Sequence, residues 1–322
     1  MQRLVTDTAT RTTAPTSKIT MGATEWSLIV LHSIFWGSAY FFAAIAVPEI
    51  PSLTITAFRL IPACMIVVAA CLIARSRIPF EWNFWRRMFA LGVVNNIIPM
   101  LLILYAQHQV TGGIAAVFNA MTPLLVVILA HFVTADEKFT RHKVAGILAG
   151  IVGVSVLVGA DITSGATGGV FAKVALLGAA AAYAIAGVFA RTTSREPPFV
   201  IAAGQMLSAL IISMPLALSI DQPWALLQPS WQAVGAVICM GTFGSALAAL
   251  LYFTLIKRAG ATNTLLVTLL LPLTPILLGV TFLGEHLSAR EIYGAAIIGL
   301  ALIILDGRMF MFARHAVFKA RR

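Results

Sequence analysis

Residues 112–158 read GGIAAVFNAMTPLLVVILAHFVTADEKFTRHKVAGILAGIVGVSVLV. An apolar run of about twenty residues, long enough to cross a hydrocarbon core, carries Pro123 at mid-span. It stops at the polar hinge Asp136–Lys143 and resumes as a glycine-rich apolar run. The plan returns at residues 260–305, GATNTLLVTLLLPLTPILLGVTFLGEHLSAREIYGAAIIGLALIIL. An offset of 148 takes Gly112 to Gly260, Glu137 to Glu285, Thr140 to Ser288 and Gly146 to Gly294, while Pro123 falls one residue out of step with Pro272. Identity is low, but the matches sit at hinges and glycines, where backbone geometry limits the choice of residue. The chain reads as a duplication.

Of its 322 residues, 60% are hydrophobic and 11% charged. A soluble chain of this size could not bury so much apolar surface, so the bilayer is the expected solvent. A length of about twenty apolar residues per crossing yields ten candidate spans, at about 26–46, 52–74, 87–107, 113–134, 143–160, 170–190, 198–219, 231–256, 262–283 and 289–306. The expected fold is an all-α polytopic membrane protein. It comprises a cytosolic disordered tail (1–24), a first five-helix repeat (25–160), a second (169–306) and a basic cytosolic tail (307–322). The three cysteines, Cys64, Cys71 and Cys239, lie in apolar runs with no metal-ligand or disulfide spacing.

The net charge of +10 would suit nucleic acid, but its location points elsewhere. With the N-terminus inside, all of the 22 Lys and Arg residues fall on the cytosolic side except Lys173, Arg290 and Arg59, the last of which lies within span 2. That asymmetry is the positive-inside signal, with both termini cytosolic and the basic charge facing inner-leaflet lipid. Five spans per copy is an odd number, so the second copy enters the membrane upside down. Two inverted halves around a central site are what alternating access requires. Transport is therefore the leading reading.

Several stretches resemble the EamA family of the drug/metabolite transporter superfamily. They are Trp36–Gly37, Arg59 in the Phe-Arg-Leu of span 2, Pro123 followed by Asp136–Glu137, Gln205, Pro272, and Gly284–Glu285–His286–Leu287–Ser288. The resemblance covers residues 26–306 as two tandem units. It implies ten helices in an inverted five-plus-five arrangement and the export or exchange of small metabolites. Helices 1, 3, 4, 6, 8 and 9 would line the cavity, with 5 and 10 peripheral or at a dimer contact. The first hinge departs from the family's Gly-Glu, reading Asp136–Glu137.

Span 1 places His32, Trp36 and Tyr40 four residues apart, on one helical face beside the small Ser33 and Gly37. Ring-bearing, hydrogen-bonding groups on one face suit a pocket for an amino-acid-like, amphipathic or aromatic solute. Asn95 and Asn96 precede Pro99, and Asn119 precedes Pro123. Amides in hydrocarbon must be paired, so they face protein or a wet cavity. Of two adjacent amides about 100° apart, one is expected to face the cavity. In the second copy Tyr183 stands near the place of Trp36 and Gln205 near that of Arg59, while Phe243 and Asn263 are further lining candidates, with Thr242, Ser245, Thr264 and Thr268. Arg59 could attract a carboxylate, snorkel outward or pair with Glu49. Since the resemblance includes an Arg here across diverse solutes, the structural role is preferred. The stripe Gly146, Gly150 and Gly153 reads as close helix packing. Glu137 and Glu285 read as hinge caps or gates.

No Asp or Glu lies mid-span, so facilitated export or exchange is expected, or coupling through His32 or His131. No cofactor is expected, and neither clustered acids nor H-E-x-x-H spacing supports an enzyme. The expected partners are a small-molecule substrate and the lipid bilayer, without nucleic acid, for a monomer or homodimer in the cytoplasmic membrane. The alternative function is a channel-like or receptor-like scaffold.

Overall fold

The computed structural model describes residues 22–133, 139–164, 167–193, 196–225, 228–264 and 266–306. The two tails, and the hinge residues Asp136 and Glu137 with the gating role expected of Glu137, lie outside the described residues. Among the described residues there is no strand. Among them eight helices are long and apolar enough to cross a membrane, followed by a shorter apolar stretch, Leu266–Phe282.

The elements in order are α1 (Ala23–Ala46), α2 (Ser52–Phe58) and α3 (Leu60–Ile73), then α4 (Trp82–Gly92), the π-helical segment Val93–Ile97 and α5 (Ile98–Gln107). Next come α6 (Gly112–Asn119), α7 (Thr122–Val133) and α8 (Arg141–Ser164). The second half runs α9 (Thr167–Thr193), α10 (Pro198–Leu216) with the π segment Ala217–Asp221, and α11 (Trp231–Cys239). It ends with the π segment Met240–Leu247, α12 (Ala248–Thr264), α13 (Leu266–Leu270), α14 (Leu273–Phe282) and α15 (Ala289–Asp306).

Several of the interruptions fall where the sequence withholds backbone donors. Pro62 cannot donate to the Phe58 carbonyl, and the helix is interrupted at Arg59. Pro99 cannot donate to Asn95, and a wide π turn covers that stretch. The run around Pro123 is two helices, broken at residues 120–121, and the run around Pro272 breaks at 271–272. Both had read as continuous spans. The third apolar span begins at Trp82, earlier than hydropathy suggested, because Trp85, Arg86 and Arg87 extend the helix as an amphipathic turn. The fifth reaches back into the hinge, starting at Arg141.

The packing repeats between the halves. α1 runs along α11, α12 and the π segment between them, and α9 runs along α5, α4 and their π segment. α3 packs on the Met240–Leu247 segment and α10 on α4 and Val93–Ile97. Each first-half element thus meets the partner of its own counterpart, as an internal two-fold relation demands. α8 and α15 pair along their length. The expected glycine stripe makes that contact close: a Cβ on Gly146 would lie 2.9 Å from the Ala301 carbonyl oxygen, and one on Gly153 would lie 2.7 Å from Ile298. Gly150 faces Leu124 instead. In hydrocarbon such backbone approach substitutes for the hydrophobic drive that lipid removes.

Beyond the spans, Glu49 accepts from Ser230 N (2.6 Å) and Oγ (2.7 Å), pinning the α1–α2 loop to the start of α11. It does not pair with Arg59, as one reading of the sequence had it. The two Ser230 donors favour the carboxylate and hold the Glu49 pKa below its ordinary value. A depressed carboxylate pKa contributes stability above the unfolded value and loses it as pH falls through the folded one. Thermal unfolding in detergent at several pH values should therefore show Glu49→Ala less stable than wild type at pH 7. That difference should close below the carboxylate range.

Candidate functional site

A small cavity of about 40 Å³ lies between the two halves. It is lined by Trp36, Ala39, Tyr40 and Ala43 of α1, Arg59, Met100 and Ile103 of α5, Tyr183 of α9, and Gly244 and Ser245 of the Met240–Leu247 π segment. The volume holds about one water or one small polar group. Four residues singled out from sequence, Trp36, Tyr40, Arg59 and Tyr183, meet here although they stand far apart in the chain.

Arg59 is only 4% exposed. Its Nη1 donates to Ser245 Oγ (2.7 Å) and its Nη2 to the Asn96 carbonyl (3.1 Å), so one side chain ties the Val93–Ile97 and Met240–Leu247 π segments together. A wide π turn frees carbonyls from the i−4 ladder, and such turns collect at functional sites. Ser245 Oγ in turn donates to the Met240 carbonyl (3.3 Å). Gln205, expected as the counterpart of Arg59, sits on α10 and accepts from Asn95 Nδ2 (3.0 Å), again reaching a π segment. The surrounding contacts repeat as well. Gly241 lies against the Arg59 backbone, and a Cβ on Gly92 would lie 2.8 Å from the Gln205 carbonyl oxygen.

The other candidates fall around this centre. His32 is buried one turn of α1 away, its ring between Trp36 (5.6 Å) and Tyr252 (5.9 Å). Asn119, at the end of α6, is buried beside the Tyr40 hydroxyl, and Thr122 Oγ1 donates to its carbonyl (2.7 Å). The Asn95 side chain bonds Gln205, whereas the buried Asn96 Nδ2 has no partner and only its backbone carbonyl accepts, from Arg59; neither residue lines the cavity wall. Phe243 pairs with Phe35 (5.4 Å) on a neighbouring face of α1. Asn263 bonds its own backbone at Ala259 (2.8 Å), away from the cavity. Pro123 and Pro272 mark the two helix breaks. Met100 and Ile103 were not singled out, because two apolar residues in an apolar span carry no signal.

The end of the bundle at which α6 begins is closed by contacts within the first half and between the halves. Gln107 Nε2 donates to the Tyr40 carbonyl (2.8 Å), and Gly112 N donates to Glu285 Oε1 (3.4 Å). α6 packs against both α1 and α14, with a Cβ on Gly113 falling 2.6 Å from Ile276. Glu285 stands in the α14–α15 hinge beside Gly284, whose φ of 66° is a left-handed turn that glycine accepts without strain. Partial burial raises the Glu285 pKa, and the Gly112 N–H offsets part of that rise. At the opposite end no comparable packing joins α12 or α13 to α7 or α9 among the described residues. A Cβ on Gly187 there would meet nothing within 4 Å. Among the described residues, the packing that closes the α6 end is thus not repeated between these helices at the opposite end.

Comparison with known proteins agrees with this plan. The model of the EamA-like transporter family matches twice, over residues 24–159 and 170–305. A WAT1-related chloroplastic protein of Arabidopsis thaliana is 25% identical over 88% of this chain and 69% of its own length. Protein PecM of Dickeya dadantii is 23% identical over 88% and 92%, and the uncharacterized inner membrane transporter YedA of Escherichia coli K12 is 25% identical over 88% and 91%. One solved protein structure aligns with a TM-score of 0.63 over 87% of this chain and 97% of its own, at 21% identity, which supports the fold. With both halves matched and apolar helices throughout, this multi-pass membrane protein belongs to the EamA-like transporter family.

Proposed function

We propose that the chain is a secondary carrier that exports or exchanges a small amphipathic or aromatic metabolite across the cytoplasmic membrane by alternating access. In this reading ten helices span the bilayer as two inverted repeats, and both termini are cytosolic. The positive-inside asymmetry of the sequence then puts the closed α6 end on the outer face, and the state is inward-facing. The observation that carries the reading is the cavity itself, shared between the halves and shut at one end. The symmetric packing supplies the means of exchange: an equivalent set of contacts can form at the other end while this one opens. The relatives named as transporters also argue for transport over catalysis.

The test is counterflow in proteoliposomes loaded with a metabolite mixture. Saturable exchange is the carrier's signature; linear, non-saturating flux would overturn the reading in favour of a pore. Trp36→Ala removes the largest aromatic wall of the cavity and, if that wall contacts solute, should lower exchange at least about tenfold, equivalent to 1.4 kcal/mol. Unchanged exchange in that variant would move the solute away from this cavity.

A further inference from the structure

Among the described residues the charge of Arg59 has no counter-ion. The guanidinium is always protonated, it is 96% buried by its 4% exposure, and its two bonded partners, a serine hydroxyl and a backbone carbonyl, are neutral. Its Nε has no partner at all. Among the described residues no carboxylate comes within ion-pair distance. Two acids bonded around the start of α2 and in the loop before it are committed elsewhere. Asp221 accepts from Thr54 N (2.7 Å) and Oγ1 (2.8 Å), and Glu49 accepts from Ser230. An ionisable side chain inside the membrane normally faces the bundle interior and meets a partner or a substrate pathway. This one borders the cavity, where the phenols of Tyr40 and Tyr183 stand with it.

Resting on the carrier reading, we infer that the transported solute carries a carboxylate that docks at Arg59 and supplies the missing negative charge. The two tyrosine hydroxyls are further donors for such a group. The cavity of about 40 Å³ suits a head group rather than a whole metabolite, so the rest of the solute extends along Trp36 toward the end of the bundle away from the start of α6. The Ser245 and Asn96 bonds hold the guanidinium in place while the site is empty. Arg59 thus acquires a second role beside its structural one, as the group that selects an acid over its neutral analogue.

The experiment uses the full chain in lipid nanodiscs and one pair of probes, N-acetylphenylalanine and its amide, read by tryptophan fluorescence and thermal shift. The acid should bind at least about tenfold more tightly than the amide, a ratio worth 1.4 kcal/mol. Arg59→Gln should bring the ratio close to one. Equal binding of the two probes, absence of acid binding, or an undiminished ratio in Arg59→Gln would each overturn the inference. Chloride alone reproducing the shift at equal concentration would also overturn it, leaving a counter-ion site. If Arg59→Gln does not accumulate, the wild-type ratio decides alone. Counterflow run in parallel separates the two readings. Saturable counterflow without acid selectivity retains the carrier and removes the anion, and acid binding without counterflow does the reverse.

Discussion

Gly241→Val leaves little folded protein in a detergent melt, while Gly299→Ala melts at or above wild type. Both glycines lie within helical segments of the second half, and composition does not distinguish them. Their surroundings do. A Cβ on Gly241 would run into the Arg59 carbonyl oxygen and come 2.7 Å from Pro62, whereas one on Gly299 would meet nothing within 4 Å. The obstacle at Gly241 is backbone, which cannot swing aside as a side chain can, so α3 and the π segment must separate. Overpacking costs about 1–3 kcal/mol where neighbours can adjust, and here the upper end or beyond is expected. The damage also reaches function, because moving the segment takes Ser245 off Arg59. At Gly299 the substitution only removes glycine's backbone freedom, a gain of up to about 1 kcal/mol in a water-exposed helix. Equal melting temperatures for the two variants would refute this close contact.

That contrast also shows what the sequence discloses and what it withholds. The duplication was legible because hinges and glycines impose backbone requirements that survive when apolar residues interchange freely. The spans were legible by length alone. Trp36, Tyr40, Arg59 and Tyr183 stood out because polar and ring-bearing groups are rare in an apolar run, and all four line the cavity. The breaks at 120–121 and 271–272 were not legible as breaks, since hydropathy averages over a kink, although both prolines that accompany them had been marked. The partners of Arg59 were not legible for a related reason. Glu49 is ten residues away in sequence, but Ser245 and Asn96 become neighbours only when α3 packs between the two π segments. Gln107, whose bond to the Tyr40 carbonyl closes the α6 end, gave no signal at all, because a glutamine at a span terminus looks like an ordinary interfacial residue.

The second large effect is expected at Gly112, where a leucine should hold the α6 end open and stop transport without stopping binding. A Cβ there would lie 3.0 Å from the Tyr40 carbonyl oxygen and 3.3 Å from Gln107 Nε2. The rest of a leucine side chain has no room while α6 abuts α1, and its bulk would part the Gln107–Tyr40 and Gly112–Glu285 contacts. In the opposite state that end is open, so the added atoms cost little. The substitution therefore acts on the difference between states rather than on either alone. A steric penalty of about 1–3 kcal/mol confined to one state shifts the ratio of states by roughly five- to 150-fold, enough to depopulate a state the cycle must visit. Counterflow should fall at least about tenfold. Ala43→Cys reports the shift, since Ala43 lines the cavity on its α6 side. Cys64 and Cys71 are already buried, so replacing the half-buried Cys239 with serine gives a quiet background. With Gly112→Leu present, a membrane-impermeant maleimide added outside should label Ala43→Cys faster than it does in the wild-type background. Lost counterflow with unchanged labelling would mean that the leucine damages the fold and that the α6 end is not the outer gate.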